Sequence, residues 1–238
     1  MKRVLMSTGS VVVAASALAM FGAPAAIAQD GPTIEGNVAL VSDYRFRGVS
    51  LSDETAAIQG GFDLGFDSGF YVGTWASSIE NYGGSETEID LYGGYGFDAG
   101  MFAIDVGGIG YFYPGSDDLE YYEVYGSAGT TLGMVDTSVG LAYAFSDQEG
   151  LGDEDNTYLY VTGDMPLGDS PFALSGSLGY TFSGGALDIS PDEDGYFDWS
   201  LGVSTTILGL DAGLSYVDTS EDGEGVEETV LLSFSKAL

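Results

Sequence analysis

Tyr196-Phe197-Asp198-Trp199-Ser200-Leu201-Gly202-Val203-Ser204-Thr205-Thr206-Ile207 alternates without a break. In an extended chain Phe197, Trp199, Leu201, Val203, Thr205 and Ile207 share one face, and Asp198, Ser200, Gly202, Ser204 and Thr206 share the other. One face suits hydrocarbon and the other water. Residues 171–183 repeat the pattern, with Phe172, Leu174, Leu178, Tyr180 and Phe182 against Ala173, Ser175, Ser177, Gly179 and Thr181. Residues 135–145 do so again, setting Val139, Leu141, Tyr143 and Phe145 against Ser138, Gly140, Ala142 and Ala144. The polar faces carry almost no bulk, which fits a wall that is apolar outside and wet inside. Ile58, Phe62, Leu64 and Phe66 oppose Gln59, Gly61, Asp63 and Gly65; Ile89, Leu91 and Phe97 oppose Glu88, Asp90 and Tyr92; Phe102, Ile104 and Val106 oppose Asp105 and Gly107. Residues 70–79 and 156–165 read equally well in either phase, with Trp75 or Tyr158 on either face.

Between these segments two kinds of connection take turns. Tight ones fall at Asp67-Ser68-Gly69, Asp98-Ala99-Gly100, Leu132-Gly133-Met134, Pro166-Leu167-Gly168-Asp169 and Leu208-Gly209. Longer acidic ones centre near residues 50, 82, 117, 151, 190 and 222. A closed barrel in a bacterial outer membrane has this asymmetry, with short turns on one side and free loops on the other. The expectation is therefore an all-β, transmembrane, antiparallel up-and-down β-barrel of twelve strands over residues 34–238, with both termini periplasmic. Length agrees: roughly 17 residues per strand and connection suits strands of about 9–11 residues. Eight strands would need loops longer than about 15 residues without structure, and sixteen would leave too little chain.

Lys2 and Arg3 precede an apolar run from Val11 to Phe21, and Ala26-Ile27-Ala28 precedes Gln29. This reads as a signal peptide over residues 1–28, followed by a short segment, 29–33. The run is too short to span a bilayer as a helix. The chain holds 37 acids against five bases, a formal net charge of −32, which becomes more negative once Lys2 and Arg3 are gone. Nucleic acid is thereby excluded as a partner, since phosphate binding needs basic patches. With 45% hydrophobic residues and 13% aromatics the chain must bury or coat much apolar surface. It has no Cys to staple an exported soluble fold, and its 38 Gly would weaken a soluble sheet. Phe70, Tyr71, Phe112, Tyr113, Tyr121, Tyr122, Tyr180, Phe182, Tyr196 and Phe197 sit near segment ends, where interfacial girdles are expected, although aromatics favour strands in any case.

The run Asn37-Val38-Ala39-Leu40-Val41-Ser42-Asp43-Tyr44-Arg45-Phe46-Arg47-Gly48-Val49-Ser50, with Ile58-Gln59-Gly60-Gly61-Phe62-Asp63, Ser68-Gly69-Phe70-Tyr71-Val72-Gly73-Thr74-Trp75 and Glu88-Ile89-Asp90-Leu91-Tyr92-Gly93-Gly94-Tyr95, resembles the TorF-type porin family of proteobacteria. The likeness covers residues 35–115 strongly and the rest thinly. It departs at Ala56, where members often carry Pro, and near Phe66, where they often carry His. The resemblance implies an outer-membrane barrel that passes small solutes.

With no His and no Cys, His-dependent hydrolysis, Cys nucleophiles and His-bound metals are ruled out. Carboxylate pairs suited to glycoside hydrolysis are expected by chance among so many acids, so no catalytic residue and no cofactor are assigned. The rare cations say more. Arg45 and Arg47 lie two apart, in parity with Asp43 and Glu35. A strand that continued with Val38, Leu40, Tyr44 and Phe46 toward lipid would aim both guanidinium groups into the lumen among Asp63, Asp90, Asp105 and Asp198. Two readings stand: the arginines neutralise inward carboxylates, which are costly when unpaired, or they orient and select solutes at a constriction. Arg45, Arg47, Asp43, Asp63, Asp90, Asp105 and Asp198 are accordingly the expected pore-lining set. Excess lumenal acid predicts a preference for cationic or neutral solutes. Small inward residues favour an open channel, and no loop looks long enough for a large plug.

The acidic loops Asp153-Glu154-Asp155, Asp192-Glu193-Asp194 and Glu221-Asp222-Gly223-Glu224 could bind Ca²⁺ or Mg²⁺ or bridge lipopolysaccharide phosphates; the plainer reading is a solvated surface. Gly93-Gly94-Tyr95-Gly96-Phe97-Asp98 mimics a Ca²⁺ nonapeptide once only and reads as strand and turn. The C-terminal strand places Leu232, Phe234 and Leu238 in phase, as assembly machinery of the outer membrane would read, with Lys236 interrupting. The function expected is passive diffusion of small neutral or cationic solutes through the outer membrane, in contact with its lipid and lipopolysaccharide. Its rivals are a non-conducting structural or adhesive barrel, a soluble exported β-sandwich and a barrel hydrolase.

Overall fold

The computed structural model describes residues 31–116, 119–152, 154–182, 187–189 and 195–238. The expected signal peptide lies outside these residues, as do Asp153 and Asp192-Glu193-Asp194. The strands are β1 (Thr33–Val41), β2 (Arg45–Phe46), β3 (Val49–Ser50), β4 (Ala57–Gly65), β5 (Phe70–Tyr82), β6 (Ser85–Ala99), β7 (Phe102–Phe112), β8 (Tyr121–Leu132), β9 (Val135–Ala144), β10 (Asn156–Pro166), β11 (Phe172–Phe182), β12 (Gly195–Ile207), β13 (Leu210–Thr219) and β14 (Thr229–Ala237). All but β2 and β3 close into a twelve-stranded antiparallel barrel. Every wall strand pairs with its neighbours in sequence. β1 meets β14 to seal the cylinder, with Asn37 opposite Ala237 and Val41 opposite Ser233. Closure leaves no unpaired edge, the one way a sheet can cross hydrocarbon with its backbone satisfied.

The alternation read from the chain is the alternation of the wall. Leu201 is 64% exposed on the outside while Asp198, on the same strand, is 5% exposed on the inside. Ile34, Ile58, Phe62, Leu91, Val139, Leu178 and Val230 continue the apolar exterior, which calls for a lipid surround rather than water. The two segments of uncertain phase resolve inward. Trp75 packs on Tyr44 with ring centroids 5.3 Å apart, and Tyr158 is 2% exposed.

The five tight turns read from the sequence lie at one end. Leu208 and Gly209 both take positive φ, 56° and 79°, as a two-residue hairpin between twisted strands requires. The long connection expected near residue 82 is instead a tight turn. β5 runs to Tyr82 and β6 starts at Ser85, so Gly83 and Gly84, at φ 58° and 102°, make the reversal alone. Paired glycines carry positive φ without strain, so Tyr82 and Ser85 still pair at the tip, past a register shift between Ser78 and Tyr82.

The aromatic girdle is only partly as expected. Phe70, Tyr122, Phe182 and Phe197 are exposed outside. Tyr71, Tyr113, Tyr121 and Tyr196 point inward instead. A phenol carries a polar hydroxyl that must find a partner when buried, and the lumen offers carboxylates: Tyr71 donates to Asp105 at 2.8 Å and Tyr113 to Glu88 at 2.8 Å.

Candidate functional site

After Val41 the chain leaves the wall. Ser42 makes a last rung with β14, its N–H donating to the Leu232 carbonyl and its Oγ accepting from the Leu232 N–H, both at 2.9 Å. Residues 42–56 then fold into the lumen around the β2–β3 hairpin. Asp43 holds its stem, accepting from Arg45 Nε at 2.5 Å, Ser50 Oγ at 2.6 Å and Ser52 Oγ at 2.9 Å. At the tip Arg47 and Gly48 take φ 48° and 85°. A Cβ on Gly48 would collide with Thr219 and crowd Asp198, so the tip lies flat against the wall.

This placement corrects two expectations. The strand does not continue, so Tyr44 and Phe46 do not face lipid. The Tyr44 hydroxyl donates to Glu88 at 2.6 Å, and Phe46 sits edge-on to Tyr111 at 5.8 Å between ring centroids. Nor does a plug need a long loop, because a tight hairpin with bulky side chains fills the loop end of the lumen. Tyr44, Arg45, Tyr111, Tyr158 and Tyr196 are all nearly inaccessible.

The two arginines serve different purposes. Arg45 ties the hairpin to the β13–β14 connection, with Nη1 donating to the Gly225 carbonyl at 2.8 Å and Nη2 to Glu54 at 3.2 Å. Arg47 crosses to the far wall. Its Nη2 donates to both oxygens of Glu123 at 2.7 and 2.8 Å, and its Nη1 to Asn156 Oδ1 at 3.4 Å. Its guanidinium carbon lies 4.4 Å from the Tyr158 ring centroid and 4.7 Å from that of Phe46, within cation–π range. Burial works against its charge, but Glu123 outweighs burial, so Arg47 holds its proton more tightly than in water. Burial, reinforced by Glu88 and Asp90, pushes the Tyr44 phenol up, keeping it a donor.

Among the described residues the ion-pair partners of the arginines are Asp43, Glu54 and Glu123. Asp63, Asp90, Asp105 and Asp198, expected around them, face the lumen without such pairing. Asp63 accepts from Tyr92 at 2.6 Å, Asp105 from Tyr71 at 2.8 Å and Asp198 from Tyr158 at 3.1 Å. Asp90 is fully buried with neither oxygen hydrogen-bonded, and one oxygen each of Asp105 and Asp198 is likewise unbonded. Glu88, Glu123 and Asn156 were not among the expected site residues. Glu88 shares a face with Asp90, and Glu123 with Tyr125 and Ser127, so their inward direction was readable; their partners were not. Glu221-Asp222-Gly223-Glu224 belongs to the connection that supplies the Gly225 carbonyl, and among the described residues no acids are grouped as metal ligands.

A regular device seats the tyrosines. Gly73 lies opposite Tyr92, Gly94 opposite Tyr71, Gly107 opposite Tyr125 and Gly140 opposite Tyr160. In each case a Cβ on the glycine would run into the opposite ring. The rings lie down across their neighbouring strands because these positions have no side chain.

A family described as "Bacterial protein of unknown function (Gcw_chp)" matches residues 25–234. The chain belongs to that family. No curated protein matches it by sequence. Among solved structures it is similar to a KdgM porin, at TM-score 0.56 and 9% identity over 86% of this chain and 96% of that one. It is similar also to a NanC porin, at TM-score 0.53 and 10% identity over 86% and 98%. An outer membrane channel from Pseudomonas putida F1 gives TM-score 0.52 and 10% identity over 89% and 97%. The fold is thus that of outer-membrane porin barrels.

Proposed function

We propose, from that family membership and that fold, that the chain is an outer-membrane channel for passive diffusion of small neutral or cationic solutes. The lumen's charge carries the reading. Asp63, Glu88, Asp90, Asp105 and Asp198 face inward with no arginine paired to them, while both arginines are engaged with Asp43, Glu54 and Glu123. Acid-lined passages favour cations, over about 8 Å at physiological salt. Arg45, Arg47, Asp43, Asp63, Asp90, Asp105 and Asp198 line the path, the short turns face the periplasm, and lipopolysaccharide surrounds the loop end. Assembly machinery reads the last strand. The likeness of residues 35–115 to TorF-type porins agrees with this.

The purified barrel in planar bilayers should give current steps that favour cations; a heat-modifiable, folded barrel without steps removes the channel reading. Changing Arg45 and Arg47 together to Ala should raise cation selectivity, and an unmoved reversal potential would take both off the path. One observation favours a second reading: the packed hairpin suits a non-conducting structural or adhesive barrel. That reading predicts no current even when residues 45–50 are replaced by a short glycine link.

A further inference from the structure

The Arg47 guanidinium sits in a site built almost entirely by the barrel wall. Glu123 on β8 grips it with both oxygens, at 2.7 and 2.8 Å. Both contacts come from the one nitrogen Nη2 while Nη1 turns to Asn156, so the planar group divides its two amino ends between two partners, which a point ammonium has no second nitrogen to do. Asn156 on β10 accepts at 3.4 Å, and its own Nδ2 is fixed by the Phe182 carbonyl at 2.9 Å. Tyr158 on β10 covers the face of the group at 4.4 Å. Tyr111 on β7 donates to Glu123 Oε2 at 3.0 Å and stacks on Tyr121 at 4.4 Å, which holds the carboxylate in place.

Such a constellation, a fixed carboxylate with an amide and an aromatic face, recognises a guanidinium whatever backbone carries it. Here the carrier is the hairpin tip, where Arg47 holds φ 48°, a left-handed conformation that strains a non-glycine residue. The surroundings are rich in acid beyond the pair. Asp90 and Asp198 keep buried unbonded oxygens at the same end of the lumen, so a replacement cation finds its charge balanced.

We propose that the seat formed by Glu123, Asn156, Tyr158 and Tyr111 binds small solutes bearing a guanidinium group, and that Arg47 is its tethered occupant. The proposal rests on the channel reading for the route by which a solute arrives. A solute that takes the seat displaces Arg47, and binding then favours the state in which the hairpin tip is released, by its differential affinity for the two states. The closed lumen becomes one that opens to its own cargo.

Calorimetric titration of the full chain in detergent with methylguanidinium tests this. Arg47→Ala should bind it, with urea, the neutral isostere, giving no heat. Arg47→Ala combined with Glu123→Gln should bind at least about tenfold more weakly, as loss of a charge-assisted pair implies. The unchanged protein should also bind at least about tenfold more weakly than Arg47→Ala, because its own arginine competes. A folded Arg47→Ala protein that ignores methylguanidinium, or binds it equally well without the Glu123 charge, overturns the proposal. If Arg47→Ala does not fold, its refolding yield with methylguanidinium against equal methylammonium replaces the titration: rescue by the guanidinium alone supports the seat, and equal yields overturn it. Conductance on the same preparations separates the two ideas. Binding without current steps removes the channel and keeps the seat; current steps without binding do the reverse.

Discussion

The two ends of this barrel are filled by opposite means. At the loop end, Tyr44, Arg45, Tyr111, Tyr158 and Tyr196 are packed as tightly as the core of a soluble protein. Toward the short turns the inward positions include Ser127, Ser138, Thr162, Ser175 and Ser204, all half-buried, with Tyr71 and Asp105 bonded beside them. The wall is the same sheet throughout, so strand number does not decide whether the lumen is passable. Residues 42–56 decide it, together with the tyrosines that receive them. An open-channel expectation drawn from small inward residues fits the short-turn half alone.

Replacing residues 45–50 by a short glycine link should have the largest effect, a several-fold rise in single-channel conductance. An unchanged conductance would move the constriction to the serine-lined half. Next is Glu123→Ala, which strands Arg47 as an unpaired buried charge at about 3–5 kcal/mol. Asp136→Ala near the short turns removes an exposed carboxylate that accepts from Thr131 at 2.6 Å, and it should change stability by no more than about 0.5 kcal/mol. Urea unfolding in detergent reads both, and equal costs would erase the distinction between the ends.

Glycines sharpen the contrast further. Gly140→Ala drives a methyl into the Tyr160 ring, an overpacking worth about 1–3 kcal/mol. Gly129→Ala meets the carbonyl oxygens of Thr137 at 3.5 Å and Ala103 at 3.9 Å, both ordinary contacts, and should leave the heat-modification temperature unmoved or raise it. The smallest effect belongs to Ser177→Ala, which removes the 2.7 Å bond to Ser200 at about 0.5 kcal/mol. A larger loss in thermal melts would mean that the short-turn half is also a packed core.

Most of the wall was legible in the chain. Alternation is a local property, and Leu201 or Phe197 faces out wherever the strand lies. The phases of Trp75 and Tyr158 were not, because an aromatic ring suits a lipid face and a tyrosine-filled lumen equally well. The girdle was overestimated for the same reason: proximity to a segment end does not say which side Tyr71 or Tyr196 takes. Gly83-Gly84 looked like part of a loop because acidic and Gly-rich residues surround it, yet the pair is itself a turn. In the site, the inward acids Asp63, Asp90, Asp105 and Asp198 were readable by parity, whereas the pairing of Arg47 with Glu123 was not.

Period-two hydropathy and alternating turns determined, from sequence alone, a closed cylinder of twelve strands, since a bilayer tolerates no unpaired strand edge. What lies inside that cylinder was a tertiary decision. Asp43-Tyr44-Arg45-Phe46-Arg47 alternates as well for a strand in the wall as for a hairpin in the lumen. The choice is made by partners 76 residues away at Glu123 and 180 away at Gly225. No local pattern encodes such contacts, because the free energy of a buried arginine depends on which carboxylate the closed barrel brings to it.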